Sequence, residues 1–190
     1  MGFGWILALL WGGVSFAAVF YIQMPIQSAL GDAILGSELP IWLRNLILIA
    51  PSGVVQEFFK ALLPVTLLLI GLRIGTSRNL LGPFAGAGFG LVEAIILVGL
   101  YSGDIGWAAI AERASAIFFH VGLTSIAVGS GNWRRILWGL PFAMLLHSLS
   151  NFAAVFYMKS LGVLGTELLI AAVAFTIWCL SNLLYGKGKE

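Results

Sequence analysis

The sequence predicts an all-α polytopic membrane protein: a transmembrane helical bundle of about six spans, forming a single domain over residues 1–190, with both termini on the cytoplasmic side. Three observations predict it. Of the 190 residues, 60% are hydrophobic and 9% charged, and the mean hydropathy is +1.02, outside the range of soluble domains. The apolar residues fall into long runs that match the ~20 residues needed to cross ~30 Å of hydrocarbon. Lysine and arginine also collect at alternate ends of those runs.

The spans are expected at 2–22, 41–74, 80–101, 105–129, 136–158 and 161–185. Residues 2–22 lack the basic start and small-residue cleavage site of a signal peptide and read as a retained spanning helix. Residues 23–40, with Asp32 and Glu38, are expected to be an external loop carrying a short interfacial helix. The second run, about 34 residues, would extend roughly 50 Å as one straight helix, so it must tilt, kink or break. Pro51, Gly53 and Pro64 are the candidate break points, because proline removes a ladder donor and crowds the carbonyl four residues back. In the third run, Gly82, Gly86, Gly88 and Gly90 signal close backbone approach between helices. With the N-terminus inside, Arg73, Arg78, Arg134, Arg135, Lys187 and Lys189 face the cytoplasm, and only Arg44 and Lys159 flank the outer side.

The net charge of +2 is too small, and the basic residues too scattered, to imply nucleic acid. Cys179 is the single cysteine, so a disulfide within the chain is excluded, and it reads as a small buried hydrophobe.

Four ionisable residues lie deep inside separate apolar runs: Glu57, Glu93, His120 and His147. Counted from the cytoplasmic ends, Glu57 is about 25 Å deep, Glu93 about 20 Å, and the two histidines about 15 Å, which suggests one shared level near the midplane. Ionisable groups at that depth are costly and mark functional sites with partners on neighbouring helices. His147 and Asn151 are four apart and share a helix face, a spacing suited either to holding an oxyanion or to joining helices. Glu57 precedes Lys60 by three positions, so the two can neutralise one another. A carboxylate beside an imidazole in a desolvated pocket can take a proton from water. Glu112 and Arg113, being adjacent, should point in different directions, and Glu112, eight residues before His120 and on its face but roughly 12 Å away, is left a supporting or packing role.

At these residues the chain resembles the CAAX protease and bacteriocin-processing superfamily of intramembrane proteases, in particular its PrsW and YhfC branches. Four motifs carry the resemblance. Ala50-Pro51 followed by Gln56-Glu57-Phe58-Phe59-Lys60 is similar to the family's double glutamate with a following basic residue. The run Gly88-Phe89-Gly90-Leu91-Val92-Glu93-Ala94 is similar to the Phe-xxx-Glu motif of the PrsW branch. Glu112-Arg113 with His120 resembles the next core helix of the YhfC branch, and His147-Ser148-Leu149-Ser150-Asn151 the closing His-xxx-Asn motif. The resemblance covers about residues 45–155, in the family's order, and leaves the first and last helices unsupported. It implies an endopeptidase that hydrolyses a peptide bond of a membrane-associated substrate. Glu57 and Glu93 would then be the acid-base pair, His120 would orient or activate water, and His147 with Asn151 would form the oxyanion site. One position departs from the pattern: Gln56 stands where the family's first glutamate is expected, and an amide is no general base.

No cofactor is favoured. Two histidines and a carboxylate could hold zinc with one position open for water, in which case the ligands would be His120, His147 and Glu93. The resemblance instead favours carboxylate and histidine activating water directly. Two other classes remain open: a non-catalytic scaffold binding a membrane peptide in the same cavity, and a small proton-coupled transporter or channel. The short loops and the lack of organellar signals lean towards a prokaryotic cytoplasmic membrane.

Overall fold

In a computed structural model, residues 3–71, 78–100, 106–129 and 133–185 are described. Every described element is helical: α1 (Gly4–Ser15), a π-helical turn (Val19–Gln23), α2 (Met24–Ile34), α3 (Ile41–Leu69), α4 (Arg78–Leu100), α5 (Trp107–Val128) and α6 (Trp133–Tyr185). Among the described residues, four stretches are long and apolar enough to cross a membrane: Gly4–Ile34, Ile41–Leu69, Asn79–Leu100 and Trp133–Met158. Helix α5, which carries Glu112 and Arg113, is not among them, and the described part of the last expected span includes the shorter apolar stretch Leu168–Ile177. The expected boundary residues Gly2, Ile74, Tyr101 and Ile105, together with Arg73, Lys187 and Lys189, lie outside the described residues.

The side-chain distribution is inverted relative to a water-soluble domain. Large apolar groups such as Tyr21, Trp107, Trp138 and Phe175 are exposed, whereas Gln56, Glu57, Lys60, His120, Thr124 and His147 are buried. That inversion suits a molecule whose outer solvent is hydrocarbon and whose polar groups must find partners inside.

Helix α1 packs on α4, α4 on α5, α5 on α6 and α6 on α3, and α3 also touches α1, α4 and α5, which puts it at the centre of the bundle. Its buried positions include Gly53, Glu57, Lys60, Pro64 and Leu67, spaced by alternating fours and threes along a single face. Two apolar clusters flank that face. Ala8, Leu81 and Ala85 join α1 to α4, and Ala61, Phe119, Leu123, Ile126, Ala143 and Ile177 join α3, α5 and both halves of α6.

Two expectations are corrected. Residues 23–40 do carry the short expected helix, α2, but the π turn leads straight into it, so the loop shrinks to 35–40. Pro25, at the start of α2, crowds the carbonyl four residues back, that of Tyr21, and the wider π turn accommodates it. Helix α3 also does not break, running 29 residues, about 43 Å, through Pro51, Gly53 and Pro64. Three successive carbonyls just before Pro51 accept side-chain donors: Leu48 from Gln27 Nε2 (2.7 Å), Ile49 from Ser52 Oγ (2.7 Å) and Ala50 from Ser148 Oγ (2.8 Å). Ser52 of α3 itself and side chains of α2 and α6 thus add donors to the carbonyls beside the proline. The expected division between the fifth and sixth spans is found: α6 is two helical stretches separated at Gly162, whose φ of 68° lies in the region that favours glycine.

The glycines of α4 act as packing residues. A Cβ on Gly86 would collide with the His120 backbone of α5, and Gly82 and Gly90 on the same face meet Thr124 and Ile117 in the same way. Without side chains along this stripe, α5 approaches close enough for His120 to reach into the bundle.

Candidate functional site

Glu57, on the central helix, is fully buried and accepts three hydrogen bonds. Lys60 Nζ donates to its Oε1 at 2.5 Å, His147 Nδ1 to the same oxygen at 2.7 Å, and Thr124 Oγ1 to Oε2 at 3.3 Å. Lys60, also fully buried, extends the chain to His120 Nδ1 at 3.0 Å, and His120 Nε2 meets Glu93 Oε2 at 2.9 Å. An ammonium only donates, so Nδ1 of His120 accepts and its Nε2–H donates to the Glu93 carboxylate. By the same logic His147 donates from Nδ1 to Glu57 and keeps Nε2 as its remaining polar atom. The result is a continuous relay, His147–Glu57–Lys60–His120–Glu93, built from α3, α4, α5 and α6. Aromatic rings wall it in: Phe89 lies under the Lys60 ammonium (4.8 Å to the centroid) and against His120, and Phe119 stands edge-on to His147.

Both ends of the relay reach a cavity of about 220 Å³ lined by Glu93, His120, His147, Asn151, Gln56 and the Glu112–Arg113 pair, among others. Neither Glu57 nor Lys60 is among the lining residues, so the middle of the relay is sealed from the space its ends enter. Glu93, by contrast, has 19% of its side chain exposed.

Of the residues singled out in the sequence, Glu57, Glu93, His120, His147 and Lys60 therefore meet in one hydrogen-bonded unit, and Asn151 joins them at the cavity wall. Asn151 Nδ2 donates to Ser52 Oγ at 2.9 Å, tying α6 to α3. Gln56 stands outside the relay. Its Nε2 donates to Gln23 Oε1 at 2.9 Å, and its own Oε1 is buried without a partner. Contrary to expectation, Glu112 and Arg113 do not point apart but form a two-pronged ion pair at the cavity wall. Their side chains are long enough to turn back on one another, and at a partly buried site charge pairing outweighs the divergence of adjacent Cβ directions.

Thr124, Gln23 and Gln27 are not singled out by the sequence. Thr124 follows His120 by four and so shares its face. Gln23 and Gln27 are themselves four apart and hydrogen-bonded (3.2 Å), a helical signal hidden in a stretch that reads as loop.

A metal would draw on a different set from the expected one. Glu57, His120 and His147 each bring a ligand atom within 4.8 Å of the others, whereas Glu93 binds His120 through Nε2, opposite the nitrogen that faces Lys60. As the chain stands these donors do not fit a divalent ion. The Lys60 ammonium already holds the Glu57 oxygen and the His120 nitrogen whose lone pairs a metal would need.

Compared with protein-family models, curated proteins and solved structures, the chain matches none.

Proposed function

We propose that this chain is an intramembrane endopeptidase that hydrolyses a peptide bond of a membrane-embedded or membrane-associated protein, using water activated by a carboxylate–imidazole pair. The observation that carries the reading is a relay of ionisable groups, sealed in the middle and open to one cavity at both ends. The resemblance of its motifs to the CAAX protease and bacteriocin-processing superfamily supports the same reading. The proposed setting is a bundle of six spans in a prokaryotic cytoplasmic membrane, with both termini inside.

In this reading Glu93, the carboxylate at the cavity, is the base. Its Oε2 is held by His120 Nε2–H, and its other oxygen takes a proton from a cavity water as the water oxygen bonds to the substrate carbonyl carbon. Collapse of the tetrahedral adduct breaks the C–N bond, and Glu93 returns the proton to the departing amine. Asn151 retains one amide N–H for the developing oxyanion. His147 Nε2, in the neutral ring, is an acceptor, so His147 serves as a second proton acceptor at the cavity, oriented by Glu57 as a buried carboxylate orients a catalytic imidazole. Glu57 and Lys60 touch no cavity space and act as positioning residues. Gln56 need not be a base, because Glu93 supplies one.

The test is cleavage of a library of transmembrane-helix peptides, each carrying a fluorophore and a quencher, in liposomes with the purified chain. The native chain is expected to cleave members of the library. Glu93→Gln should lower the rate by about 10²-fold or more with an unchanged melting temperature. Binding without cleavage by the native chain would overturn the peptidase in favour of a peptide-binding scaffold, and a proton-driven flux through the liposomes would favour a transporter.

A further inference from the structure

The fullest convergence of ligand atoms in the described part of the molecule is the one its own lysine fills. Glu57, His120 and His147 supply one carboxylate oxygen and two imidazole nitrogens, the donor types of a zinc centre, within 4.8 Å of one another. Among the described residues this is the group of histidine and carboxylate side chains that converges in this way. Lys60 Nζ bonds to two of the three donors and rests on the Phe89 ring as its third neighbour. We propose that Lys60 is the resident cation of a latent metal centre: its tethered ammonium stands where a divalent ion would stand, excludes zinc from the native chain, and leaves a zinc site when it is removed.

The chemistry follows from what an ammonium and a zinc ion have in common. Each is a cation satisfied by a carboxylate and by imidazole lone pairs, and each fixes the orientation of those rings. The ammonium delivers its charge covalently on α3, so the centre assembles on folding and needs no loading step. It also blocks its own replacement. The side chain has no exposed surface, and a dication entering among the same donors would be placed against a positive charge in a desolvated site. Shortening Lys60 removes the charge and opens the space, leaving Glu57 without its cation. A metal then satisfies the carboxylate and both rings, with a fourth position left for water.

The inference does not rest on the proposed hydrolysis, because metal content is read without a substrate. The native chain, Lys60→Ala, Lys60→Gln and the double variant Lys60→Ala/His147→Ala are purified in detergent, exposed to excess zinc and desalted. Zinc per chain is then measured by plasma mass spectrometry and melting temperature by thermal unfolding. The native chain should retain only traces, and its melting should not respond to zinc or chelator. Lys60→Ala should hold close to one zinc per chain, at least about tenfold more than native, and melt higher with zinc than without. The double variant should lose that zinc. Stoichiometric zinc in the native chain, removed by His147→Ala, would overturn the proposal. So would folded Lys60→Ala and Lys60→Gln proteins that take up none. Failure of both variants to fold even with zinc supplied during expression would overturn it as well, since the metal would then have failed to take the ammonium's place.

Discussion

At the scale of single residues, Glu57 and Lys60 form a buried ion pair in which each depends on the other. Neither has any exposed surface, so removing one partner strands the other's charge in a desolvated interior. Glu57→Gln should cost about 3–5 kcal/mol of stability in detergent, and Glu57→Gln/Lys60→Met should cost less than the single change, because the double variant strands no charge. Thermal or denaturant unfolding of the three proteins checks this, and a double variant no more stable than Glu57→Gln would overturn it. Gln56 is built in as an amide by a longer chain of polarity. The Leu48 carbonyl only accepts, so Gln27 must present its NH₂ to it, Gln23 its NH₂ to Gln27, and Gln56 its NH₂ to Gln23. A carboxylate at position 56 has no proton to continue that sequence. Gln56→Glu is expected to lower stability by about 1–3 kcal/mol, the cost of unsatisfied buried groups, as measured by the same unfolding. The relay's ionisable members were legible in the sequence because charge inside an apolar run is conspicuous. The amide chain was not, because neutral polar residues in a moderately apolar stretch carry no comparable signal.

At the scale of elements, the site depends on how closely α5 and α6 approach α3 and α4. The glycine stripe on α4 sets one of those distances, and Gly53 on α3, whose Cβ would strike Ser148 and the Met144 carbonyl, sets another. Gly86→Leu should push α5 outward, destabilise the bundle by about 1–3 kcal/mol and abolish the proposed cleavage, as His120 is withdrawn from Glu93 and Lys60. Gly99→Leu, on the same helix with no atom near its would-be Cβ, is the matched control and should alter neither. Unfolding and the liposome cleavage assay read both variants, and equal effects from the two would rule out the packing explanation. The positions of α4 and α5, and the division near residue 160, were legible from apolar run length and loop signals. The unbroken course of α3 was not. A proline inside an apolar run looks like a break unless one knows that Gln27 and Ser148, from other helices, will reach the carbonyls beside it.

At the scale of the whole molecule, the path of the chain through a bilayer decides which side the cavity serves, and α5 decides the path. It is as long as Asn79–Leu100 but less apolar than the four clear spans, yet it packs between α4 and α6 along much of its length and contributes His120 to the relay. In the proposed six-span path this helix crosses with its neighbours, and its charged groups, Glu112 and Arg113, are paired and turned to the cavity. The proposed six-span path can be read by labelling single cysteines with a membrane-impermeant maleimide, in a Cys179→Ser background that removes the native thiol. Glu38→Cys, between α2 and α3, and Ser160→Cys, beside the Gly162 break, should react in intact cells. Asn79→Cys, at the start of α4, and Trp133→Cys, at the start of α6, should react only after permeabilisation. The pattern is diagnostic because α4 and α5 together return the chain to the side it left. If α5 lay within the bundle without crossing, Trp133→Cys would label from outside and Ser160→Cys would be shielded, with Glu38→Cys and Asn79→Cys unchanged.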